Sequence, residues 1–155
     1  MNIPGNYVVD FCYTLWIFIS IYFYYSGIYV TNLDYVLGIL AIVVGILIVP
    51  LRNHIHIIYG HTLNTIYLAI VSFFSHNIYL LGLNILMLFN IIVSRLVFRD
   101  CLFIKMRRSE TATPASITIT NMFNKLNGSY IYPTLLITSI YRLYKTINPN
   151  KLHKT

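Results

Sequence analysis

What this chain lacks first is charge, and negative charge above all. Its 155 residues include only four acids, Asp10, Asp34, Asp100 and Glu110. Charged residues make up 10% of the whole, against about 25% in soluble domains. Hydrophobic residues reach 57%. A soluble fold of that composition has too little polar surface to cover its core, so the composition points to an integral membrane protein. The few acids also exclude chemistry. None is paired with another, none lies inside an apolar run, and no serine-elbow, zinc-helix or phosphate-loop motif occurs. Proton-coupled transport typically uses an intramembrane carboxylate, and the spans hold none. Asp10, at the mouth of the first helix, is the nearest, and an acid there also favours the helix dipole.

Cysteine is as scarce. Cys12 and Cys101 lie too far apart in the chain to suggest a disulfide framework, and neither belongs to a metal-ligand cluster. His54, His56 and His61 come close together, but no acid or thiol joins them, so they read as polar groups at an interface. No charged leader with a small-residue cleavage site precedes the first apolar run, so no cleavable signal is expected. Neither enzymatic activity nor a cofactor or metal is expected.

What is present is a series of apolar runs closed by a basic segment. The strongest is 78–98, IYLLGLNILMLFNIIVSRLVF. Twenty-one residues at 1.5 Å each make a helix of about 30 Å, the thickness of a bilayer's hydrocarbon core. Arg95, Arg99, Lys105, Arg107 and Arg108 follow at its far end and hold it on the side of synthesis. Three more spans precede it. The first, 11–30, is rich in tyrosine and suits an aromatic belt; Tyr13, Ser20, Tyr24 and Gly27 share a face suited to packing. The second, 35–51, carries Gly38, Ala41 and Gly45 on one stripe, which lets helix backbones approach, within the chain or by self-association. The third, 57–74, is the most polar, with His61, Thr65 and Ser72 on one face as interhelical glue. In the fourth, Asn84 and Asn90 lie on different faces, so at least one meets another helix.

The expected fold class is therefore all-α: four transmembrane helices within 1–98, then a basic juxtamembrane and peripheral tail over 99–155. Residues 1–94 carry a net charge of −1 and residues 95–155 a net +8. Four spans place the 52–56 loop, both termini and every cation on one face. In the tail, Met122, Phe123 and Leu126 make a helical stripe; a hairpin turning at Asn127-Gly128 is the competing reading, weakened by Pro133. A last helix, 134–147, groups Leu136, Ile140, Leu143 and Ile147. It is short and bears two cations, which suits a helix lying on the bilayer or docked on a partner.

The residue usage is heavy in Ile, Asn and Tyr and poor in Ala and Gly, as AT-rich genomes produce. In that usage, in size and in its basic tail, the chain resembles small multi-span inner-membrane proteins of large icosahedral DNA viruses. The resemblance implies a minor capsid protein of the virion membrane that ties a shell to the bilayer. The expected role is structural, with the lipid bilayer and protein partners in a larger assembly as partners and no specific nucleic acid. Arg95, Arg99, Lys105, Arg107 and Arg108 would steer, and Met122, Phe123, Leu126, Ile140 and Leu143 would dock. An accessory subunit of an organellar membrane complex is the alternative. An oligomeric channel or small-solute carrier, with His61, Asn64, Asn84 and Asn90 along its path, is a third.

Overall fold

The first helix ends where its sequence supplies a stop. A computed structural model describes residues 5–49, 54–98 and 130–149, and in it α1 spans Gly5–Tyr25. Gly27 follows with a φ of 67°, a left-handed conformation open to glycine without a Cβ clash. Ile28 N–H then reaches back to Phe23 O at 3.3 Å, the long bond of a Schellman closure. The span is accordingly shorter than the expected 11–30 at this end, and Gly27 lies in the turn instead of on the packing face. Tyr24 is exposed, while Tyr13 and Ser20 are buried with Trp16.

The next helix, α2, spans Asn32–Ile48. Thr31 caps it: its Oγ1 accepts from Asp34 N–H at 3.2 Å, and Asp34 Oδ2 accepts from Thr31 N–H at 3.1 Å. This reciprocal capping box satisfies two backbone donors that the helix start leaves free. α3 spans His54–Phe74 and α4 spans Ile78–Phe98. Residues 54–56 thus belong to the helix, not to a loop. Asn77 starts α4, its Oδ1 accepting from Tyr79 and Leu80 N–H at 3.0 and 3.3 Å.

α5 spans Tyr132–Ile147, with Pro133 in its first turn, where a missing N–H costs nothing. It does not lie apart as a peripheral tail but packs along α4 and α3. Thr65 meets Tyr132, Ser72 meets Ser139 and Ser75 meets Arg142, each pair 67 residues apart. One constant offset means that α5 runs parallel to α3 and in register with it. α1 is parallel to α3 as well, through Asn64 with Tyr13 and the stacked rings of Trp16 and Tyr67. The other sequential neighbours are antiparallel, and α3 touches all four other helices.

The face that α5 turns inward also differs from the expected one. Tyr132, Leu135 and Ser139 are buried and Leu136 and Leu143 half-buried, whereas Ile140 and Ile147 point outward. Polar side chains with partners on α3 and α4 decide the rotation, and the apolar stripe is left outside. Across the bundle, apolar side chains cover the outside as well as the core, where Leu37, Val44, Ile48, Leu68, Val71, Leu80, Leu81 and Leu88 are buried. Phe11, Phe18, Val36, Ile39, Leu86 and Phe89 are exposed. Ser20, Asn64, Ser72, Asn84 and Ser139 are at 0% exposure. Among the described residues one helix stretch, Ile78–Val97, is long and apolar enough to cross a membrane, with a mean hydropathy of 2.0. α2 is equally apolar in character but shorter, at 17 residues.

Candidate functional site

Three helices meet around a cluster of small polar side chains. Ser72 on α3 donates to Leu68 O of its own helix at 2.6 Å. Ser139 on α5 donates to Ser72 Oγ at 2.9 Å. Asn84 on α4 brings its amide Nδ2 within 2.9 Å of both serine oxygens and 3.3 Å of Leu68 O. Two N–H groups shared among three acceptors tie α3, α4 and α5 together at one depth. Among the described residues Asn84 Oδ1 is buried with no hydrogen-bond partner. Most buried polar groups are bonded, and a low-dielectric surrounding strengthens the bonds they make.

The seam continues along α3 in both directions. Thr65 Oγ1 lies 3.2 Å from Tyr132 Oη and donates to His61 O at 3.1 Å. One residue earlier the helix turns Asn64 toward α1, where its amide donates to Tyr13 Oη at 2.8 Å. The rings of Tyr13, Trp16 and Tyr67 stack edge to face beside that bond, at centroid distances of 5.5 and 5.1 Å. Asn90 on α4 reaches α1 as well, donating to Cys12 Sγ at 2.7 Å, and Ser94 Oγ donates to its Oδ1.

A second polar node closes the end of the bundle that holds both short connections. Asn77 Nδ2 donates to Ile28 O at 2.8 Å and to Asp34 Oδ2 at 3.3 Å, joining the α1–α2 and α3–α4 turns. Arg142 of α5 donates to Ser75 O through Nε and Nη2 and to Phe73 O through Nη1, covering the last carbonyls of α3. Tyr29, in the α1–α2 connection, donates to Ser20 O at 3.3 Å. Burial first, and then the nearby Asp34 carboxylate, push its phenol up to about 12.

The residues singled out from the sequence fall as follows. Gly38 and Gly45 are buried against α1 and its connection, under the Tyr29 ring and the Ile17 side chain respectively, with Ala41 buried between them. The small-residue stripe is therefore a contact within the chain. Thr65 and Ser72 face α5, half-buried His61 is within electrostatic reach of Arg95, and Asn84 and Asn90 both bridge helices. Arg95 is half-buried near the end of α4. Arg99, Lys105, Arg107, Arg108, Met122, Phe123 and Leu126 lie outside the described residues, as does the choice between helix and hairpin there. Ile140 is exposed on α5, and Leu143 is half-buried against the bundle.

Reading the sequence missed Asn77, Ser139 and Arg142 as linking residues. A signal for one existed: Leu-x-Ile-x-Ser occurs at 68–72 and again at 135–139, and the two serines are the ones that meet. No family model, curated protein or solved structure matches this chain.

Proposed function

We propose that the chain is a multi-pass integral membrane protein with a structural role, a helical anchor whose basic segment after α4 holds a protein assembly against the bilayer. The observation that carries this reading is that the bundle is apolar outside as well as inside, with a polar network set within it. Phe, Leu, Val and Ile cover the outer face as well as the core, while Asn and Ser lie inside and bond helix to helix. Lipid, unlike water, gives no hydrophobic drive to bury Leu, so bundles in it are joined by small and polar residues. The amide nitrogens of Asn64, Asn84 and Asn90 and the hydroxyls of Ser72 and Ser139 are engaged with other side chains or backbone inside the bundle, which supports a scaffold over a solute path. If the assembly is a viral shell, the resemblance in composition and layout is accounted for too.

The arrangement of α5 changes the expected orientation. α5 begins beside Thr65 and ends past Ser75, so residue 148 leaves the bundle at the end opposite Arg95. The C-terminal ends of α4 and α5 thus lie at opposite ends of the bundle, so the cations that follow each are expected on opposite faces, in place of one face for all. Single cysteines at 76, 104 and 149 in sealed vesicles test this. The expected outcome is that 76 and 149 label from one side and 104 from the other. Extraction of the chain by alkaline carbonate would overturn the membrane reading. Replacing Arg99, Lys105, Arg107 and Arg108 by Gln should leave insertion intact and abolish co-purification with the assembly; retained co-purification would refute the anchoring role.

A further inference from the structure

We infer that the bundle end closed by Asn77 and Arg142 binds the headgroup of an anionic phospholipid, an inference resting on the membrane reading above. The ligands are Arg142 and Lys145, flanked by Tyr141 and Tyr144, with the His76 ring accepting from the Arg142 guanidinium. Arg142 is held in place by Phe73 O and Ser75 O, and its Nη2 lies 3.2 Å from His76 Nε2. Carbonyl oxygens orient a guanidinium without cancelling its charge. Among the described residues no carboxylate is in hydrogen-bond contact with Arg142. The one described acid at this end, Asp34, is 3% exposed and turned inward, its Oδ2 accepting from Val30, Thr31 and Asn77.

α5 then continues five residues past Arg142 to Ile147, a rise of about 7 Å. Lys145 is one turn beyond Arg142 on the same side of the helix and is exposed. Tyr141 and Tyr144 are each about half exposed beside it. Cations that match phosphate geometry and rings that favour the headgroup level thus stand together at the end of an apolar bundle. A free phosphate uses the cations alone. A phospholipid uses the cations for its headgroup and exposed Ile137, one turn before Tyr141 and deeper on the same helix, for its chains.

The test uses the full chain in nanodiscs of phosphatidylcholine with or without phosphatidylglycerol, with retained lipid read by native mass spectrometry. Because the segment after α4 is itself basic, all comparisons carry Arg99, Lys105, Arg107 and Arg108 as Gln. In that background Lys145→Gln should lower phosphatidylglycerol retention about fivefold, which is what one cation near a surface is worth. Melting in phosphatidylcholine should not change, since Lys145 is exposed. Unchanged retention in that variant overturns the assignment. So does equal protection of the parent by inorganic phosphate, which would make the site one for a free anion. A chain that never enters nanodiscs defeats the membrane reading itself; a chain that inserts without preferring phosphatidylglycerol defeats only this inference.

Discussion

Ser139→Ala isolates what the three-helix polar cluster contributes. The substitution removes one hydroxyl and with it two bonds between helices, Ser139 to Ser72 and Asn84 to Ser139. It strands nothing: Ser72 still donates to Leu68 O, and Asn84 still has Ser72 Oγ and Leu68 O as acceptors. Bonds between helices in a bilayer average about 0.6 kcal/mol each, so the loss should come to about 1 kcal/mol. That is roughly a fivefold change in the folded-to-unfolded ratio. Thr138→Ala is the control, because that hydroxyl bonds only Thr134 O of its own helix at 2.9 Å. It should stay within about 0.5 kcal/mol of the parent. Reversible unfolding in mixed micelles, followed through Trp16, the single tryptophan, reads both. Trp16 is buried between Tyr13 and Tyr67, so its emission follows the α1–α3 contact. If Ser139→Ala and Thr138→Ala unfold alike, the cluster does not hold α5, and the account of that helix's rotation is wrong.

Gly38→Ala should destabilise by about 1–3 kcal/mol, because a Cβ there meets the Tyr29 ring, with Cζ at 2.5 Å. Gly27→Ala meets no neighbouring atom and should cost only the left-handed backbone strain, about 1 kcal/mol, with Gly27→Asn costing less; the same unfolding assay separates the two sites. Asn77→Ala removes the α4 cap and the link to Ile28 O together. It should cost about 2 kcal/mol, more than a cap alone, and hydrogen exchange should rise in both connections and not elsewhere. Tyr29 binds its proton more tightly when folded, with a value near 12 against 10.0 for the free phenol. The stability it lends is full below pH 10 and is lost as pH rises toward 12. Tyr29→Phe should flatten that alkaline decline in a pH series.

The helices themselves were legible, because long apolar runs separated by short polar stretches leave few other readings, although Gly27 ends the first helix instead of lying on its packing face. Thr31-x-x-Asp34 carries a capping box in plain spacing, and the second helix, expected from 35, starts three residues earlier at Asn32. Facing was harder. Periodicity finds the stripe Leu136, Ile140, Leu143 and Ile147, but the side that faces protein depends on the surrounding solvent. Where the surroundings are apolar, Ser139 and Arg142 gain more from neighbouring helices than Ile140 does. Pairings such as Asn84 with Ser139, 55 residues apart, leave no trace in local spacing. They follow from the register of α5 against α3, which the recurring Leu-x-Ile-x-Ser only hints at.

The parallel register of α5 on α3 also bears on the order of assembly. Ser139 is synthesised 67 residues after Ser72 and 55 after Asn84. The α3–α4 hairpin therefore leaves the ribosome with its amide bonded to one serine and with Phe73 O and Ser75 O uncovered. α5 arrives last and supplies the second hydroxyl and the guanidinium in one docking step. Contacts this distant in sequence form slowly, so a window exists in which the hairpin is in place while its polar groups remain open to other partners. A chain that stalls before residue 139 leaves those groups without the hydroxyl and guanidinium that α5 brings.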